Sequence, residues 1–205
     1  LVTFGTRSGR RFFVTEEARI LSPLRIELHH GAGLLSPNQG ADVVYVVADG
    51  LMDAVAPLAA LRESQGFRVK RVALSSIVRE VGKGIESADA IKEFLRFAVT
   101  RWTPAPRYAL LVGDGTYDPK RDLGRGNFPA LPLRLGRGQY VDFADDNWFV
   151  ALGESPAPTL AVGRIPAATP ELVAAYVAKV LAHEKTPSEK PGNWVIVSDN
   201  DQLGG

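Results

Sequence analysis

The stretch "YALLVGDGTYDP", Tyr108 to Pro119, breaks an apolar run into glycines and aspartates. A strand reads this way when it emerges at the carboxyl edge of a sheet, where ligands of open α/β folds bind. Upstream, "VVYVV" (Val43 to Val47) is short, β-branched and wholly apolar, as expected of a parallel strand covered on both faces. Between the two lie a helix with Leu51, Val55, Leu58 and Leu61 at spacings of three and four, closed by Gly66, and a second strand, "FRVKRVAL". A second helix follows Ser87, a candidate N-cap, with Ile91, Phe94, Leu95, Ala98 and Trp102 on one stripe before Pro104 and Pro106. The order is β-α-β-α-β, whose right-handed crossovers put helices on both faces. The expected fold is a three-layer, doubly wound, mostly parallel α/β sheet.

Outside that centre the pattern is looser. Residues 1–40 mix β-like runs (Arg11 to Val14, Arg25 to His30) with glycine and proline, and are expected to form a small β-rich lead-in and linker. A long loop is expected over Thr116 to Tyr140, then "NWFVAL" and "TLAVGRI" as a hairpin around "GESPAP". Thr169 should cap a third helix with Pro170 at its first position and the pairs Leu172/Val173, Tyr176/Val177 and Val180/Leu181 on its apolar face. The linker "KTPSEKPG" divides the first unit, 41–188, from a second that begins in 189–205 with "WVIVSDNDQLGG".

The composition excludes several functions. With 24 basic and 23 acidic residues the net charge is +1, and arginines are scattered without the stripe that nucleic-acid binding needs. No apolar run reaches the ~20 residues that span a bilayer. The chain shows no signal peptide, and it opens on Leu1, which leaves room for an upstream leader. There is no cysteine, hence no disulfide and no thiol nucleophile in these 205 residues. His29, His30 and His183 are too few and too scattered for zinc. No phosphate or dinucleotide fingerprint stands at a strand end, and no G-x-S-x-G occurs.

What remains is an acidic edge. Asp49, Asp114, Asp118, Asp199 and Asp201 follow predicted strands, and Asp145 and Asp146 stand in "ADDNW". Carboxylates and loop carbonyls suit a hard cation such as calcium, with Asp114, Asp118, Asp145 and Asp146 as candidate ligands. The competing reading is turn chemistry, in which each aspartate binds nearby backbone. No cofactor is required.

The strings "LRESQGFRV", "AIKEFLRFA", "YALLVGDGTYDP", "DDNWFVAL", "AVGRIPAAT" and "WVIVSDND", in this order across Ala41 to Asp201, closely resemble the gingipain family of cysteine peptidases. The resemblance implies a caspase-like α/β sandwich in two subdomains, of which this is the first. It also implies a secreted or cell-surface endopeptidase that acts on protein substrates through a His-Cys dyad, with structural calcium. The dyad belongs to the second subdomain, a histidine in Gly-His-Gly and a later cysteine, and neither motif occurs here. The expectation is therefore an N-terminal part that is inactive alone, its dyad lying beyond residue 205. The alternative is a peptidase-like module serving binding or secretion without chemistry. In the isolated chain Trp194, Val195, Ile196 and Val197, which open the second subdomain in the family, are expected to need cover from the rest of the peptidase or from another chain.

Overall fold

A computed structural model describes residues 15–20, 22, 31–116, 118, 122, 130–138 and 142–185. By its contacts the chain divides into Leu1–His30 and Gly31–Gly205. In the first unit the described structure is a 3-10 turn, Glu17–Arg19. The β-like runs Arg11 to Val14 and Arg25 to His30 lie outside the described residues, as do Trp194 and the tail.

The second unit begins with strand β1 (Val43–Val47), buried at every position. Helix α1 (Ala56–Ser64) carries proline in its first turn. Gly66 ends it at φ +88°, a conformation that side chains oppose. Strand β2 (Val69–Ala73) passes without a loop into helix α2 (Leu74–Glu80). Helix α3 (Ala88–Arg101) starts as the sequence predicts: the Ser87 hydroxyl accepts from the Ala90 amide at 3.2 Å. Ile91, Phe94, Leu95 and Ala98 are fully buried along its stripe. Strand β3 (Tyr108–Val112) follows, then short strands β4 (Asp114–Thr116) and β5 (Ala130–Pro132), paired parallel. Strands β6 (Leu135–Arg137) and β7 (Asp142–Ala144) pair antiparallel. Helix α4 (Asn147–Val150), strand β8 (Ala161–Ile165) and helix α5 (Pro170–Lys185) complete the unit.

The central sheet has the order β2-β1-β3-β8 and every pair is parallel. Helices α1 and α5 pack together on one side, while α2, α3 and α4 form a second packed group. This is the doubly wound, three-layer arrangement that the alternation of strands and helices predicts.

Three expectations are corrected. The stretch Thr116 to Tyr140, expected as a loop, contains the strands Ala130–Pro132 and Leu135–Arg137, which pair with β4 and β7. "FRVKRVAL" is strand only to Ala73, because Asp49, at the end of β1, reaches across to cap α2. Its carboxylate accepts from the Ser75 amide at 2.9 Å and hydroxyl at 2.6 Å. "NWFVAL" and "TLAVGRI" do not form a hairpin. The loop between them does close, with the Thr159 amide on the Val150 carbonyl at 2.8 Å, but Asn147–Val150 is helical and β8 runs parallel to β3. Asp145 starts that helix by accepting the Trp148 amide at 3.2 Å, and Phe149 and Val150 are fully buried beneath it.

The stretch 31–40 is tied to this unit. The Glu80 carboxylate takes the amides of Ala32 and, at 2.8 Å, Leu34. The Trp102 indole donates to the Leu34 carbonyl at 3.2 Å.

Candidate functional site

The carboxyl edge of the sheet is where the acidic loops gather, and parallel register puts the ends of β1, β3 and β8 in one row: Val47, Val112 and Ile165. Immediately beyond, Gly113 has φ +143°, and a Cβ there would lie 2.9 Å from the Ala48 Cβ. Glycine is thus demanded by close packing of the two turns. The turn is held by the Gly113 amide on the Ile165 carbonyl (3.1 Å) and the Asp114 amide on the Ala167 carbonyl (3.2 Å).

The aspartates at this edge mostly serve the backbone. Asp114 Oδ1 accepts from the Gly115 amide at 2.8 Å, Asp118 Oδ1 from the Asp122 amide at 2.9 Å, and Asp145 Oδ1 from the Trp148 amide. Asp146 differs. Both its oxygens are engaged by Arg164, at 2.8 Å from Nε and 2.7 Å from an Nη, in a bidentate pair. A second Nη of Arg164 donates to the Gly113 carbonyl at 3.2 Å, so this residue of β8 ties the β3 turn to the start of α4. Its side chain is only 11% exposed. Sequence reasoning passed over Arg164, although a charged residue within "AVGRI" was a signal that something inside pairs it.

Among the described residues, no three of histidine, cysteine, aspartate and glutamate come together as a metal site. Asp199 and Asp201 lie outside the described residues. His183 stands exposed in the last turn of α5, and Ser75 pairs with Asp49 without an imidazole. With no thiol anywhere in the sequence, the nucleophile and base of acyl transfer are not found here. Among the described residues the edge is held by backbone hydrogen bonds and by Arg164.

Other carboxylates hold the scaffold at its opposite end. Asp42 accepts the Arg68 amide and Nε, both at 2.9 Å, and these bonds lower its pKa to about 2. Glu184 on α5 takes both Nη groups of Arg62 on α1, at 2.8 and 2.7 Å, and is likewise lowered to about 2.

A parallel four-stranded sheet between two helix layers, with a turn-rich carboxyl edge, is the architecture of a caspase-like peptidase module. Residues 36–203 match the profile of peptidase family C25, and the chain belongs to that family, the gingipain peptidases. Its fold is similar to the crystal structure of dimeric latent PorU from Porphyromonas gingivalis, with a TM-score of 0.61 and 24% identity. That alignment covers 72% of this chain and 16% of PorU. A second solved structure, of a protease, aligns with a TM-score of 0.51 and 20% identity over 73% of this chain and 29% of that one. The chain therefore spans about a sixth and under a third of these two neighbours. No curated protein matches it.

Proposed function

We propose that this chain is the first, scaffolding subdomain of a secreted gingipain-like cysteine endopeptidase whose His-Cys dyad is contributed by sequence beyond residue 205. The observation that carries the reading is a family match over 36–203 in a chain without a single cysteine. The thiolate nucleophile must come from outside these 205 residues, and its imidazole must stand within hydrogen-bond reach of it. The role left to residues 41–188 is to carry that further sequence and to offer loops at the carboxyl edge to the substrate.

The test is to express a longer polypeptide of the same reading frame and assay cleavage of protein substrates. Activity abolished by a thiol-alkylating reagent and by substitution of one downstream cysteine supports the proposal. A longer polypeptide that folds, lacks Gly-His-Gly and cysteine, and cleaves nothing supports instead a module for binding or secretion.

We further propose that any cation held by the loops of Asp114, Asp118, Asp145 and Asp146 is calcium, because these loops offer oxygen ligands without nitrogen or sulfur. A ligand of the native state raises apparent stability. The melting temperature should therefore be higher in millimolar calcium than in EDTA, and an unchanged value counts against calcium.

A further inference from the structure

Trp148, half-buried in α4, meets two cations at once. Lys92 of α3 sets its ammonium 4.0 Å from the centre of the indole, and the guanidinium of Arg134, between β5 and β6, stands 5.0 Å from the same centre. One cation on an indole is ordinary packing, because the face of the ring is negative. A second brings like charge to like charge, here at most about 9 Å apart, and the ring neutralises neither.

The acids nearby are already engaged. Glu93 pairs with Arg96, Asp146 with Arg164, and Asp145 accepts the Trp148 amide. Among the described residues no carboxylate forms an ion pair with Lys92 or Arg134. The ammonium of Lys92 registers this surplus: its pKa is lowered, first by burial and then by the fields of Arg96 and Arg134, against the opposing pull of Asp89 and Glu93. The platform under the two cations is fixed. Phe149, fully buried, stands edge-on to the indole at 5.5 Å, α3 packs on α4, and the Arg134 carbonyl accepts the Asp145 amide at 2.9 Å.

An anion would relieve the repulsion and meet two charged donors held from different elements. A carboxylate or phosphate that accepts bonds of about 2.8 Å on two of its oxygens can reach both. The basic residues of the chain form no stripe, so a long polyanion finds no track beyond this point. We infer that Lys92 and Arg134, set over Trp148, form a binding site for a small oxyanion, a carboxylate or a phosphate, which accepts a hydrogen bond from each.

The test is an NMR titration of the 205-residue chain with sodium acetate and with inorganic phosphate, at an ionic strength held constant with sodium chloride. Saturable shifts are expected at the Trp148 indole N–H and the Lys92 side chain within tens of millimolar anion. Tighter binding of acetate assigns the site to carboxylates, and tighter binding of phosphate to phosphates; either supports the inference. Bound anion must also raise the Lys92 pKa, since two sites that favour each other do so reciprocally. Lys92→Gln and Arg134→Gln should each weaken binding by about tenfold, the worth of one charge-assisted hydrogen bond, while Lys92→Arg keeps most of it. Shifts that never saturate, or that chloride reproduces, overturn the inference by showing only the screening of exposed charges. A Lys92 pKa that stays put at saturating anion overturns it too. Should Lys92→Gln fail to fold, Arg134→Gln, whose side chain is exposed, decides: unchanged affinity there overturns the site.

Discussion

On the side of α3 the central stripe of the helix is closed: Ile91, Phe94, Leu95 and Ala98 are fully buried, Phe97 and Val99 are half-buried against the same core, and Trp102 closes the end edge-on to Phe94 at 5.6 Å. On the side of α1 and α5 the described residues leave the same sheet part-covered, with an open cavity beside Tyr45 and exposed Tyr108 and Tyr176 at its rim. Both sides are built from amphipathic helices. The difference lies in α5, whose adjacent apolar pairs make a stripe wider than one sheet contact can bury. The described residues thus close one face of the sheet and leave apolar surface on the other.

The sharpest way to break this comparison is to truncate one aromatic on each side. Phe94→Ala removes a fully buried ring and should cost about 3–5 kcal/mol in urea unfolding. Tyr176→Ala, on the part-covered side, should stay within about 0.5 kcal/mol of the parent. Comparable losses at the two positions would mean that α5 is as closed as α3.

A middle-sized effect is expected at the carboxyl edge, where Arg164 joins Asp146 and the Gly113 carbonyl. Arg164→Ala strands a half-covered carboxylate and a turn carbonyl, and should cost about 2 kcal/mol. A melting curve that does not move would show that the edge is held by its backbone bonds alone.

The smallest effect is expected from acid. Asp42 and Glu184 have folded pKa values of about 2, below the ordinary 3.8 and 4.5, chiefly through hydrogen bonds from Arg68 and Arg62. A lowered carboxylate pKa stabilises the fold above the unfolded value and loses that contribution as pH falls through the folded one. Stability from these two pairs is therefore complete above about pH 4.5 and lost toward pH 2. Urea midpoints across that range should fall less steeply in a chain carrying Asp42→Asn and Glu184→Gln. Identical slopes would remove these pairs from the account.

How much of this was legible depends on whether the signal was local. Strands β1 and β3 announce themselves as short β-branched or apolar runs, and α3 by its stripe and its Ser87 cap. Helix α2 was hidden because its cap is Asp49, 26 residues upstream. Helix α4 is four residues long, too short for periodicity, and β8 could be assigned to a parallel sheet only through its pairing with β3. The apolar pairs of α5 were readable, but which member of each pair is buried follows from how the helix is set against α1 and the sheet. At the carboxyl edge the aspartates were visible as a set. Their division into backbone caps and the single arginine pair of Asp146 needed Arg164, a partner from another strand.

Under the proposed function this chain is scaffold without its own catalytic chemistry. Its most direct test is to incubate the purified 205-residue chain with a fluorogenic peptide library that samples every residue type before the scissile bond. The account predicts no turnover. Cleavage that persists in the presence of serine- and metallopeptidase inhibitors, and disappears when a residue of this chain such as Ser75 or His183 is substituted, would contradict it.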